Sequence, residues 1–151
     1  KSIGVPYVDI SGAGGTSWTK VEKYRANSPT LRSAGETFAN WGIPSAFSLI
    51  AARNILDDKT CIISSGGVDN GLDAAKSIAL GGDITGFARS ILLPFLNGGI
   101  EGAKIYLDSV IYELKIAMLL TGARDLESLR KVPRVITGEL KDWLNAFGWI
   151  S

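Results

Sequence analysis

The chain has 151 residues, of which 46% are hydrophobic, and its 16 basic and 15 acidic side chains leave a net charge of +1. This length supports one compact core, and the balanced charge offers neither a basic surface for nucleic acid nor a polybasic membrane anchor. No uncharged apolar run reaches transmembrane length, so we expect no nucleic-acid partner and no membrane attachment.

Cysteine and histidine usage narrows the possible chemistry. Cys61 is the only cysteine in the sequence, and histidine does not occur. A single cysteine excludes a disulfide framework within the chain and is typical of a reducing, cytoplasmic setting. Without histidine or a cysteine pair, the chain lacks the usual zinc ligands and the commonest general base. The first residue is Lys1 and 18 glycines occur in clusters, so we expect a piece of a larger polypeptide.

The first part of the chain contains a predicted strand followed by helices. Residues 5–10 are rich in β-forming side chains and end at a glycine cluster, which predicts a strand. Thr16 or Ser17 is a suitable N-cap for a helix over residues 18–25. Two further helices are predicted over residues 30–40 and 45–56.

The second part repeats this alternation. The continuous apolar run at residues 60–64 predicts a strand that is buried on both faces, as in a parallel sheet. Asp73 falls in the first turn of the next predicted helix, where a carboxylate stabilises the positive end of the helix dipole. The other predicted elements are helices over 71–80, 90–96 (which contains Pro94), 100–120, 125–130 and 139–147, and a strand over 84–88.

Buried strands that alternate with helices predict an α/β fold with a parallel sheet. Three strand–helix units are too few for an eight-stranded barrel, which takes about 250 residues. The chain is therefore either a small open sheet or the last portion of a (β/α)8 TIM barrel. An open piece of a barrel would expose a sheet edge and apolar helix surface, so we expect it to associate or to sit within a larger polypeptide.

Each predicted strand ends in a turn suited to an anion: SGAGGTS (11–17), SGGV (65–68) and ARS (88–90). Backbone amides at helix starts attract a dianionic phosphate. Arg89 can add a positive charge, and Ser11 and Thr16 offer hydroxyl groups. A single such glycine is more often structural, but three turns at equivalent strand ends favour a phosphate site. We interpret Gly66 and Gly67 as positions where the ligand approaches the backbone.

Six stretches of the sequence carry a family resemblance: VDISGAGGTSW (8–18), WGIPS (41–45), SSGGVDNGLDAAK (64–76), ALGG (79–82), GFAR (86–89) and ELKIAMLLTG (113–122). They resemble the type 2 isopentenyl-diphosphate delta-isomerases over nearly the whole chain. The glycine-glycine-valine and alanine-arginine elements are shared by FMN barrels generally. GGTSW and MLLTG are more particular to the isomerases.

The resemblance implies an FMN-dependent TIM barrel that interconverts isopentenyl diphosphate and dimethylallyl diphosphate, with reduced flavin as the acid/base. Carried over by motif, the flavin contacts of the family fall on Ser11, Thr16, the backbone of Gly66, Gly67 and Val68, and on Ala88 and Arg89. The chain would begin at about strand 6 and supply strands 6–8, with their helices and the C-terminal helices, to a single barrel domain. Catalytic residues and the partners of the Mg²⁺ and NADPH implied by the family would lie outside this segment, which we expect to be inactive alone and, in the whole enzyme, to form a homo-oligomer.

Two positions raise specific questions. The family usually has arginine after the glycine-glycine turn, where this chain has Asp69 and Asn70, which leaves Arg89 as the nearer cation. Trp18 is either packed beneath the first turn or a wall of the substrate pocket near the flavin.

Two other functions remain open. An FMN-dependent 2-hydroxyacid oxidase shares the glycine turns, but its chemistry requires an active-site histidine. A non-catalytic half-barrel that binds phosphate, or only packs against a partner, requires no flavin. Visible absorbance of the protein separates the flavin enzymes from this last class.

Overall fold

The computed structural model describes residues 4–149, in which three short strands form a parallel sheet. The strands β1 (Tyr7–Asp9), β2 (Cys61–Ser64) and β3 (Ile84–Thr85) lie in the order β1-β2-β3. Val8 of β1 pairs with Ile62, and Ser64 pairs with Thr85 of β3. All three carboxyl ends therefore lie at the same edge of the sheet. The predicted α/β class with a parallel sheet is confirmed.

Helices connect the strands and follow the last one. They are α1 (Trp18–Arg25), α2 (Pro29–Thr37), α3 (Ser45–Ile55), α4 (Gly71–Ala79), α5 (Arg89–Thr121), α6 (Leu126–Arg130) and α7 (Gly138–Ala146). Ser17, rather than Thr16, is the N-cap of α1, because its hydroxyl accepts the Lys20 N–H at 3.2 Å. Ser28 caps α2 in the same way. None of the helices within residues 4–149 is long and apolar enough to cross a membrane.

The predicted strands at 5–10 and 84–88 were too long. Strand pairing stops where the backbone turns away from the sheet. At the end of β3 the Gly86 N–H still donates to the Ser64 carbonyl oxygen at 2.8 Å, but the residues after it leave the sheet. The predicted helix over 30–40 also lies a little earlier, and α2 ends at Thr37.

Residues 90–96 and 100–120, predicted as two helices, belong to the single element α5. Its interior is non-helical at Gly99, with φ 60° and ψ −149°, which marks a kink. Pro94 lies five residues after the start of the helix and costs it one backbone hydrogen bond. Across the kink, a Cβ on Gly102 would come within 2.2 Å of the Pro94 carbonyl oxygen. Glycine is therefore required for this close approach.

The core has two parts. In the first, α4 packs against Ala123 and Leu129 and against partly buried side chains from the second half of α5. In the second, Phe47 of α3 is 3% exposed and contacts three aromatic rings at centroid distances of 5.0–5.4 Å. These rings belong to Trp143, Phe147 and Trp149. Ile62 in the central strand is fully buried, but Cys61 and Ile63, on the opposite face of β2, are only half-buried, so the predicted burial on both faces is met on one face.

A large apolar surface is exposed. β1 and β3 are both edge strands, and Tyr7 and Ile84 are exposed there. One side of α5 carries the buried Val110, but the helix also exposes a second apolar face. That face includes Ile100, Ile105, Ile111, Tyr112, Ile116, Leu119 and Leu120. The expected exposed edge and exposed helix surface are confirmed.

Candidate functional site

A cleft of about 430 Å³ opens at the carboxyl edge of the sheet, where the three strand-end turns meet. Its lining includes every residue predicted to contact flavin: Ser11, Thr16, Gly66, Gly67, Val68, Ala88 and Arg89. Asp9 and Ser65 also line the cleft, although neither was predicted to contact flavin. The parallel sheet thus gathers into one cleft residues that lie far apart in the chain.

The first two turns pack against each other through their backbones. Gly66 and Gly67 have φ of 87° and 94°, a region that side-chain-bearing residues rarely adopt. A Cβ on Gly67 would lie 2.2 Å from the Gly14 carbonyl oxygen, and one on Gly66 would lie 2.4 Å from the Gly12 carbonyl oxygen. These glycines therefore have a packing role that requires no ligand, which the sequence interpretation missed.

The third turn leads into the uncapped start of α5. Ala88 is the N-cap residue and provides no side-chain hydrogen bond, and the first turn of α5 contains no acidic side chain. Within residues 4–149, the N–H groups of Arg89, Ser90 and Ile91 have no acceptor, and the Arg89 guanidinium has no carboxylate partner. Free N–H groups, the positive end of the helix dipole and a guanidinium therefore coincide beside the cleft.

Two of the first three N–H groups of α4 already donate to side chains of the protein. The Gly71 N–H donates to Glu113 Oε2 at 2.7 Å, and the Asp73 N–H donates to Asn70 Oδ1 at 2.8 Å. Asn70 is thus the N-cap residue of α4. Because α4 has its own caps, α5 is the helix whose start is available to an anion.

Two side chains of α5 hold the second turn in place. The Tyr106 hydroxyl donates to the Asp69 carbonyl oxygen at 3.1 Å, and the Ser90 hydroxyl donates to the Val68 carbonyl oxygen at 3.4 Å. Burial raises the pKa of the Tyr106 phenol, which keeps its hydroxyl protonated as a donor. The Gly66–Gly67 turn is thus fixed relative to the start of α5.

Trp18, the first residue of α1, lies on the surface of this region. It is 73% exposed, so the prediction that it packs beneath the first turn is wrong. Its side chain lines the cleft and also a neighbouring apolar groove of about 570 Å³ that includes Val21, Leu92 and Phe95. Its role as a wall of the substrate pocket stays a prediction.

No metal-binding cluster of side chains occurs in the part of the chain that the structure describes. Within residues 4–149, no cluster of three or more aspartate, glutamate, cysteine or histidine side chains could hold an ion. Cys61 lies on β2 with a free, half-buried thiol.

Comparison with known proteins agrees with the motifs. Over 145 residues the chain is 45% identical to the isopentenyl-diphosphate delta-isomerase of Methanocaldococcus jannaschii, an alignment that covers 96% of this chain and 40% of that protein. The same enzyme of Sulfurisphaera tokodaii is 48% identical (96% and 39% covered), and that of Pyrococcus furiosus is 43% identical (95% and 36% covered). The resemblance to these isomerases is confirmed, and the chain spans about 40% of their length.

A broader family profile covers most of the chain. Residues 4–135 match the family described as FMN-dependent dehydrogenase. This match includes all three strands and all three turns that line the cleft. The chain therefore belongs to the FMN-dependent dehydrogenase family.

Proposed function

We propose that residues 1–151 form the C-terminal segment of a single FMN-binding TIM-barrel domain. The strands β1, β2 and β3 would be about strands 6–8 of the barrel. Three observations support this: the strands are parallel, helices connect them, and both outer strands have open edges among residues 4–149. The similarity to isomerases more than twice as long supports it as well.

We propose that the cleft binds the phosphate group of FMN. The observation that carries this proposal is the uncapped start of α5, with Arg89, beside the Gly66–Val68 turn in a single cleft. Unpaired backbone amides and a guanidinium are the donors that a dianionic phosphate requires. Thr16 would add a hydroxyl donor, because its hydroxyl has no partner within residues 4–149. Ser11 would contact the uncharged part of the cofactor.

The whole enzyme would interconvert isopentenyl diphosphate and dimethylallyl diphosphate. Bound reduced flavin would supply the acid/base chemistry at the allylic carbon. The residues of this segment would bind and orient the cofactor, and the exposed Trp18 would help to exclude water from the site. The Mg²⁺ and NADPH sites implied by the resemblance would be formed by other parts of the polypeptide, so this segment alone would be inactive.

A 2-hydroxyacid oxidase is the second candidate, because the matched family is described as a dehydrogenase. The absence of histidine from the chain argues against it. Turnover assays on the full-length polypeptide distinguish the two. We expect isomerisation of isopentenyl diphosphate and no oxidation of 2-hydroxyacids.

The phosphate site is tested by titrating the full-length polypeptide with FMN and with riboflavin. Riboflavin lacks the phosphate, and each charge-assisted hydrogen bond contributes about 1.5–3 kcal/mol. We therefore expect FMN to bind at least about tenfold more tightly than riboflavin. Equal affinities, or a colourless protein that binds neither flavin, would contradict the proposal, and the second result would favour a non-catalytic module.

Arg89→Gln isolates the contribution of the guanidinium. We expect this variant to bind FMN about tenfold more weakly and riboflavin as well as the wild type does. Arg124→Gln is the matched control, because Arg124 is exposed, pairs with the adjacent Asp125, and does not line the cleft. If the two substitutions changed FMN affinity equally, Arg89 would not contribute to the phosphate site.

A further inference from the structure

A carboxylate at the end of β1 joins the first two turns of the cleft. Asp9 Oδ1 accepts a hydrogen bond from the Ser11 N–H at 3.0 Å and another from the Ser65 hydroxyl at 2.5 Å. Ser11 lies in the turn after β1, and Ser65 begins the turn after β2. All three residues line the cleft. One oxygen atom thus connects the two turns directly.

Ser11 has an unusual backbone conformation. Within residues 4–149 it is the only residue other than glycine with a positive φ, 25°. Residues with a side chain rarely adopt such a value and hold it only where their surroundings determine it. The Ser11 N–H donates a hydrogen bond to the Asp9 carboxylate. Asp9 therefore helps to hold Ser11 in a conformation that the chain would not adopt by itself.

The other contacts between these turns do not fix the two serines. Gly14 and Gly67 meet only through close backbone packing, which has little directional preference. The Ser45 hydroxyl donates to the Gly66 carbonyl oxygen at 2.6 Å, but this bond ties the second turn to α3. Within the described residues, Asp9 provides the hydrogen bonds that connect Ser11 and Ser65.

On the basis of the proposed FMN site, we propose that Asp9 is a positioning residue for flavin binding. Its carboxylate orients Ser11 and Ser65, so that the first two turns form one rigid surface for the cofactor. Direct contact between the carboxylate and the phosphate would be repulsive. Asp9 therefore acts through the two serines.

The test compares Asp9→Ala and Asp9→Asn in the full-length polypeptide by FMN titration. Alanine removes the acceptor, and we expect FMN affinity to fall by about tenfold or more. Asparagine keeps an acceptor oxygen at the same position, and we expect its affinity to stay within about threefold of the wild type. Rescue by asparagine separates positioning from charge, so a loss with asparagine as large as with alanine would overturn the inference.

Asp125→Ala is the matched control for loss of a carboxylate. Asp125 caps α6 through the Ser128 N–H at 2.7 Å, and it does not line the cleft. Its replacement should lower the melting temperature without changing FMN affinity. If Asp9→Ala does not fold, Ser65→Ala takes its place: a several-fold loss of FMN affinity supports the inference, and no change overturns it.

A double variant provides a second readout. If Asp9 acts through Ser65, adding Ser65→Ala to Asp9→Ala should weaken FMN binding little further, because the connection is already broken. Fully additive losses would overturn the inference. A wild-type protein that binds no FMN would overturn both this inference and the proposed function. A wild type that binds FMN, with unchanged affinity in Asp9→Ala, would overturn the role of Asp9 alone.

Discussion

Asp9 and Arg89 give the cleft opposite charges on its two sides. Asp9 ends β1 and Arg89 begins α5 just after β3, and these strands are the two edges of the sheet. A ligand with one anionic group is therefore oriented by the cleft. Its phosphate is favoured at the start of α5, and its uncharged hydroxyl-bearing portion is favoured near β1.

At the level of single residues, two glycines also form a matched pair for a stability test. Gly67→Ala places a Cβ 2.2 Å from the Gly14 carbonyl oxygen at a φ of 94°, whereas Gly98→Ala meets no atom within 4 Å. We expect Gly67→Ala to destabilise the full-length protein by about 1–3 kcal/mol or more, and Gly98→Ala to be neutral or slightly stabilising. Denaturant midpoints measure both, and equal midpoints would show that the two turns do not pack as described.

Between elements, one carboxylate forms two ion pairs at the amino end of β3, away from the cleft. Asp83 Oδ2 pairs with Arg53 Nη2 at 2.5 Å, and Asp83 Oδ1 pairs with Arg130 Nη2 at 2.6 Å. Oδ2 also accepts the Ile62 N–H at 2.8 Å. This carboxylate thus joins α3, β2 and α6 at the base of the sheet.

This connection predicts a specific acid sensitivity. Burial of Asp83 opposes ionisation, but the Ile62 N–H and the two guanidinium groups outweigh it and hold the pKa of the carboxyl below its ordinary value of 3.8. A carboxyl group whose pKa is lower in the folded state stabilises the protein at any pH above its unfolded-state pKa. That stabilisation disappears as the pH falls through the folded-state pKa. Asp83→Asn should therefore lower stability by about 1 kcal/mol or more at pH 7. The difference from the wild type should shrink from about pH 4 downward, and a constant difference would contradict this account.

The order of elements could be predicted from the sequence because hydrophobic periodicity and caps are local signals. The lengths of the strands could not be predicted, since β3 ends where its backbone stops pairing with Ser64, a residue distant in sequence. The cleft was predictable because parallel strands end at a common edge. The roles of Asp9 and Tyr106 could not be predicted, because each depends on a hydrogen bond to a residue that is distant in sequence. The separation is 56 positions for Asp9 and 37 positions for Tyr106.

For the whole molecule, the exposed apolar surface determines how the segment behaves. Both edge strands and one face of α5 lack partners within residues 4–149. Surfaces of this kind are normally covered in a folded protein. We propose that the rest of the barrel covers the sheet edges and that subunit contacts in a homo-oligomer cover part of α5.

This proposal predicts that the 151-residue segment associates when it is expressed alone. Light scattering should give a mass well above the 16.0 kDa of one chain. The full-length polypeptide, in which the edges would be paired, should instead form a defined oligomer that does not aggregate. A stable 16.0 kDa monomer of the segment would contradict the prediction.

The most direct measurement is a crystal structure of the full-length polypeptide with FMN. The central claim is that the flavin phosphate binds at the uncapped start of α5. We expect phosphate oxygens within about 2.7–3.2 Å of backbone nitrogens of Arg89 or Ser90 and of the Gly66–Val68 turn. The guanidinium of Arg89 should lie within reach of the same phosphate. A phosphate bound elsewhere, with these amides still unoccupied, would contradict the account.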